Sequence, residues 1–267
     1  YLALVVLGFA VDLGRVVYIL QKPGRWTIRA VRVESRPWSF EQGSFVLLVR
    51  MALYFASTAF QLLVGDLFEG AGESSLRIIA QSVCFYLVGQ GVVALSLLRR
   101  RVTWREAFGL EPRAALRDAG KGVVFYLAAL PFIVFYSFLY QAVLRGMGWE
   151  IVMQDIALVV AGEQSFWMRL CLMGLAVVLA PLFEEILFRG IGLPLVARKL
   201  GVAPAVVAVS LLFAAVHFHL PSMMPLVGVA VAFSLAYIHT GSIVVPIVMH
   251  ALFNGVNVAL LMVLKGL

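Results

Sequence analysis

Residues 167–197 read WMRLCLMGLAVVLAPLFEEILFRGIGLPLVA. The run shows no apolar–polar alternation, which excludes a half-exposed strand, and it is too long for a buried one, so it is a helix. At 1.5 Å per residue it extends about 45 Å, beyond a hydrocarbon core of about 30 Å, so it must tilt, kink or emerge. Pro181 and Pro194 are the expected kink points. Inside this apolar run sit Glu184, Glu185 and Arg189. Charged groups at bilayer depth are costly, and they face a cavity or one another.

The rest of the chain supports the same fold class. Of 267 residues, 63% are hydrophobic and only 13% charged, against about 45–50% and about 25% in a soluble domain. Mean hydropathy is +0.99. The expectation is all-α: a polytopic transmembrane helical bundle of about eight spans, at 1–20, 44–65, 76–98, 121–144, 167–197, 202–218, 222–239 and 242–264. The functional core is expected in the last four. Residues 1–120 read as N-terminal helices with a connector, and 121–267 as the core.

Net charge is +7, and the excess is concentrated in loops. Lys22, Arg25, Arg29, Arg32 and Arg36 lie in 21–43. Arg99, Arg100, Arg101, Arg105, Arg113, Arg117 and Lys121 lie in 99–121, and Arg198 and Lys199 follow the long span. With eight crossings these fall on one side, which is then cytoplasmic. Segments 66–75 and 145–166, on the other side, are acidic or mixed (Asp66, Glu69, Glu73; Glu150, Asp155, Glu163). This pattern fits an anionic bilayer surface and no nucleic acid. Thr103 and Trp104 open either a short interfacial helix or an ordinary connector. Cys84 and Cys171 lie in apolar runs without metal spacing and read as packing residues.

Two later apolar segments carry polar groups: Phe213–His217 (FAAVH) and His250–Asn254 (HALFN). From the cytoplasmic ends, Glu184 lies about 21 Å along its helix, His217 about 22 Å, and His250 and Asn254 about 12–18 Å. A shared site is therefore feasible. Glu185 and Arg189 are i,i+4 in the favourable order and face each other, a pair that compensates its own charge. Glu184 points about 100° away. It has no intrahelical partner and suits a general base acting on water. His250 and Asn254 share one face, and both can donate hydrogen bonds to a developing oxyanion. His219 and His239 are weaker candidates.

The order EExxxR, FxxxH, HxxxN on successive apolar segments resembles the CPBP family (CAAX proteases and bacteriocin-processing enzymes, also called Abi), over about residues 165–258. The resemblance implies an intramembrane protease in which Glu184 activates water with help from His217. His250 and Asn254 would form the oxyanion hole, and Glu185 and Arg189 would orient the site. The family is commonly called metalloprotease, and Glu184, His217 and His250 could ligate zinc. The sequence lacks HExxH, and a metal-free glutamate mechanism is favoured, with no cofactor. The expected partners are the lipid bilayer and a membrane-associated peptide or protein substrate, in a bacterial plasma membrane. The alternative within the family is a non-catalytic scaffold or bacteriocin-immunity protein. A proton-coupled carrier ranks last, for want of repeat symmetry or paired broken helices.

Overall fold

The computed structural model describes residues 2–21, 33–64 and 71–265. Lys22, Arg25, Arg29, Arg32, Asp66 and Glu69 lie outside the described residues. The architecture is all-helical: α1 (Leu2–Gln21), α2 (Phe40–Val64), α3 (Ala71–Arg100), α4 (Trp104–Phe108), α5 (Ala115–Gly146), α6 (Asp155–Gly162), α7 (Phe166–Gly174), α8 (Ala180–Glu185), α9 (Leu193–Leu200), α10 (Val202–Ala215), α11 (Leu220–Thr240) and α12 (Val244–Lys265). No strand occurs among the described residues. Five helical stretches there are long and apolar enough to cross a bilayer: Ser75–Arg100, Pro112–Gly146, Phe166–Leu200, Leu220–Thr240 and Val244–Leu264. The chain is an integral membrane protein. Helix α10 has 14 residues, about 21 Å, so it ends before His217 rather than beyond it.

The long span is one continuous rod, Phe166–Leu200. Its two irregularities are not proline kinks of the expected kind. The backbone widens to π-helical register over Leu175–Leu179 and again over Ile186–Gly192. Each widened stretch ends two residues before a proline, Pro181 and Pro194. A proline lacks the N–H that an α-helical or π-helical bond would need, and the wider turn redistributes the strain. Pro131, by contrast, sits inside α5 without ending it.

Around the rod, α5 packs against α1, α11 and α12, and α10 packs against α9 and α11. The N-terminal pair α2 and α3 pack on each other, and α3 also covers α7 and α8. The largest apolar cluster joins Trp38, Phe108, Ile191, Leu193, Phe213 and Tyr237. A second cluster fills the space between α5, α11 and α12 with Tyr126, Leu130, Val229, Phe233, Val245 and Met249.

The basic loops do share one end. Arg36 donates to the carbonyls of Glu106 (3.0 Å) and Gly241 (2.5 Å). Arg198 donates to Glu34 (2.6 Å), and to Arg36 and Trp38 as well. At the opposite end, Gln154 donates to Ser222 at 2.7 Å and Tyr140 to the Leu220 carbonyl at 3.0 Å. The connector is more than an interfacial helix. Thr103 and Glu106 form a reciprocal capping box on α4, but Phe108 is fully buried. It fills the space left by Gly190, where a Cβ would stand 2.6 Å from its ring. Cys84 and Cys171 are free and exposed. They face outward rather than packing the core, where hydrocarbon tolerates a small thiol.

Candidate active site

Helix α8 ends on Glu184 and Glu185, at the point where the rod passes into its second widened stretch. Glu185 and Arg189 are both fully buried, and Arg189 Nη1 donates to Glu185 Oε1 at 2.8 Å. The other arm of the guanidinium, Nη2, donates to the Ala230 carbonyl of α11 at 3.1 Å. The cation also lies 4.6 Å from the Phe213 ring centroid and 5.2 Å from that of Phe233. Arg189 thus ties the rod to α10 and α11. Its planar fork makes it unlike a lysine, which would be a point charge here.

His250 of α12 completes the cluster. Its Nδ1 lies 2.9 Å from the same Glu185 oxygen. Its Nε2 lies 3.9 Å from Glu184 Oε2, too far for a direct hydrogen bond. The two glutamates, which point in different directions from the helix, therefore meet opposite edges of one imidazole. Glu185 Oε2 and Glu184 Oε2 have no hydrogen-bond partner. The Glu184 side chain is 22% exposed, whereas Glu185 is completely enclosed. Phe233 packs beside His250 with ring centroids 5.1 Å apart.

His217 and Asn254 are placed less directly. His217 follows the end of α10, half-buried, with Nδ1 2.7 Å from the Phe213 carbonyl. That contact assigns the proton to Nδ1 and leaves Nε2 as an acceptor. The Phe213 ring stands between the two imidazoles, 4.9 Å from His217 and 5.7 Å from His250. Asn254 Nδ2 donates to the Ala176 carbonyl at 2.8 Å. The reason lies in the π register. The Ala180 N–H bonds Leu175, so the next residue, Pro181, would bond Ala176 but has no N–H. Asn254 fills the vacant donor position with one of its two amide hydrogens.

His219 contacts Ser222 Oγ at 2.8 Å. His239 stacks 5.6 Å from Phe125 at the end of α11. Neither joins the cluster. Among the described residues no three His, Cys, Asp or Glu side chains gather closely enough to share a metal ion. The set Glu184, His217 and His250 does not fit zinc in this arrangement.

Sequence reasoning missed Ala230, Phe233 and Arg50. A backbone carbonyl and a core phenylalanine carry no polar signal. Arg50 does: it is a lone cation in the apolar run of α2, and the argument applied to residues 184–189 would have found it.

An all-helical membrane bundle with a buried carboxylate–imidazole–guanidinium centre is the class that fold and site define. Residues 165–256 match the family model described as Rce1-like, type II CAAX prenyl endopeptidase, a segment that holds all three motifs. The chain is 29% identical to CAAX prenyl protease 2 of Homo sapiens over 182 residues, which cover 57% of this chain and 54% of the human protein. It thus spans about half the length of that curated relative. No solved structure matches. The motif-bearing segment is similar to the type II CAAX prenyl endopeptidases.

Proposed function

We propose that the chain is an intramembrane endopeptidase that hydrolyses a peptide bond of a membrane-associated substrate by water activated at Glu184. The observation that carries this reading is the split between the two adjacent carboxylates. Glu185 is enclosed and paired with Arg189 and His250. Glu184 is partly exposed, with an unbonded oxygen 3.9 Å from His250 Nε2. Of the two carboxylates, Glu184 is the one that a water can reach.

Glu184 takes a proton from that water as its oxygen attacks the carbonyl carbon, and passes it to the leaving amine as the carbon–nitrogen bond breaks. The acceptor nitrogen of His217 holds the water's other hydrogen. The oxyanion receives His250 Nε2–H and the second amide hydrogen of Asn254. With Nδ1–H given to Glu185, the ring can donate from Nε2 only as the imidazolium. The Glu185 carboxylate opposite is the partner such a ring needs. Because the relative's name specifies a prenyl CAAX substrate, an internally quenched farnesylated CAAX peptide is the first probe.

The test is cleavage of that peptide by the full chain in detergent, with and without chelator. Loss of cleavage in Glu184→Gln is expected, as is chelator resistance in the wild type. Full activity in Glu184→Gln would overturn the assignment. Loss with chelator, restored by zinc, would overturn the metal-free mechanism.

A further inference from the structure

The N-terminal helices reach the site through one residue. Phe183, immediately before Glu184, is 3% exposed and is enclosed largely by α2 and α3. Its ring lies 4.8 Å from Phe85 and 4.9 Å from Tyr86. The guanidinium of Arg50 lies 4.1 Å from its centroid. On the α3 side, a Cβ at Gly89 would stand 2.5 Å from Phe183 Cε2, so only glycine admits the ring this closely.

Arg50 also holds the Phe183 backbone. Nη1 donates to the Phe183 carbonyl at 3.3 Å, and Nη2 donates to the Gly89 carbonyl at 3.1 Å and to Gln90 Oε1 at 3.3 Å. The side chain is 2% exposed, and among the described residues its polar partners are two carbonyls and an amide oxygen rather than a carboxylate. A buried guanidinium in that state is poor value as a stability device: desolvation costs several kcal/mol, and a well-packed neutral side chain often does as well. Its placement one peptide unit from Glu184, where the rod changes register, is what such a stability argument leaves unaccounted for.

We infer that Arg50 is a positioning residue for Glu184: together with Gly89 and the aromatic wall of α3, it fixes the Phe183 peptide and thereby the reach of the neighbouring carboxylate. The inference rests on the reading of Glu184 as the base. It gives the N-terminal helices a share in the reaction without contact with substrate. A misplacement of about 1 Å in a reacting group is enough to cost about 100-fold in rate.

The experiment measures kcat and KM for the full chain on the farnesylated peptide, with thermal unfolding alongside. Arg50→Gln is expected to lower kcat about 10–100-fold, leave KM within about twofold, and keep the melting temperature close to wild type. Arg50→Lys, which can still donate to one carbonyl, is expected to recover part of kcat. Gly89→Ala removes no charge but displaces the Phe183 ring, and is expected to lower kcat in the same way. It decides the matter if Arg50→Gln does not fold. Wild-type kcat in the folded variants, or a change confined to KM, overturns the inference. Glu184→Gln in the same assay separates the two readings. If it still cleaves, the reading of Glu184 fails. If it is dead while the Arg50 and Gly89 variants are fully active, only the positioning role fails.

Discussion

Two arginine-centred regions of this molecule use the same cation for different ends. At the basic end, Arg36 and Arg198 donate to backbone carbonyls of Glu34, Trp38, Glu106 and Gly241. Carbonyls at helix ends and turns lack intrahelical partners, so a permanent cation fastens them, and the result is a knot between segments far apart in sequence. At bilayer depth, Arg189 meets a carboxylate, two aromatic faces and one carbonyl. There the acceptor is a side-chain carboxylate, and the same oxygen also meets an imidazole. The guanidinium donors of the knot go to backbone carbonyls and hold the fold. The centre leaves an oxygen of Glu184 unbonded, on a side chain that is 22% exposed.

That contrast breaks most decisively at Glu184. Glu184→Gln removes the proposed base but no bond of the cluster, and should lower kcat by about 10²–10⁴-fold with unfolding unchanged. If unfolding falls as well, Glu184 is part of the frame and the division between the two carboxylates is wrong. Arg189→Leu is the converse. It leaves Glu185 buried without its cation and should destabilise the protein by about 3–5 kcal/mol, measured by unfolding in detergent. Arg189→Lys should restore little, because Glu185 and Ala230 are met by different nitrogens of one planar fork.

The sequence was most legible where the physics is local. The i,i+4 spacing places Glu185 against Arg189, and apolar length defines the rod. The count of about eight spans goes beyond the five long apolar helices among the described residues, partly because α10 is short. What could not be read was the π register. It depends on how Pro181 and Pro194 share strain with their neighbours, and it explains why Asn254 points at Ala176. Nor does helix arithmetic show that Glu184 and Glu185, about 100° apart, close on opposite edges of one ring, since that requires knowing where α12 lies. The division at residue 120 followed polarity alone. Side chains of α2 and α3 nonetheless enclose Phe183.

Asn254 sharpens the comparison because it belongs to both sides of it. One amide hydrogen fastens Ala176, as Arg36 fastens Gly241; the other is the one proposed to meet the oxyanion. Asn254→Leu should cost about 1–3 kcal/mol by orphaning that carbonyl and also lower kcat about 10²-fold. A stability loss with kcat intact would make Asn254 purely a fastener. Arg36→Ala tests the knot. It removes donors from two segments and should loosen the connector by about 1.5–3 kcal/mol of local opening, read as faster amide exchange over 101–114. The centre lies deeper, so kcat should change by less than about threefold.

The smallest effect belongs to the connector cap. Glu106 Oε2 accepts from the Thr103 backbone N–H at 2.7 Å and from its hydroxyl at 2.8 Å. These bonds, the backbone one first, hold the Glu106 carboxyl below the usual carboxylate range. A value lower in the folded state than in the unfolded one, about 4.3, favours folding above that unfolded value. The contribution is lost as pH falls through the folded value. On acidification the Thr103 amide resonance should therefore shift below pH about 4, with local exchange rising. Glu106→Gln should abolish the titration while leaving peptide cleavage at neutral pH unchanged. Phe108, two residues on, packs against Gly190 beside Arg189. If the Glu106→Gln protein cleaves slowly instead, a loose cap is being transmitted through that contact, and the fastened end and the reactive centre are less independent than their chemistry suggests.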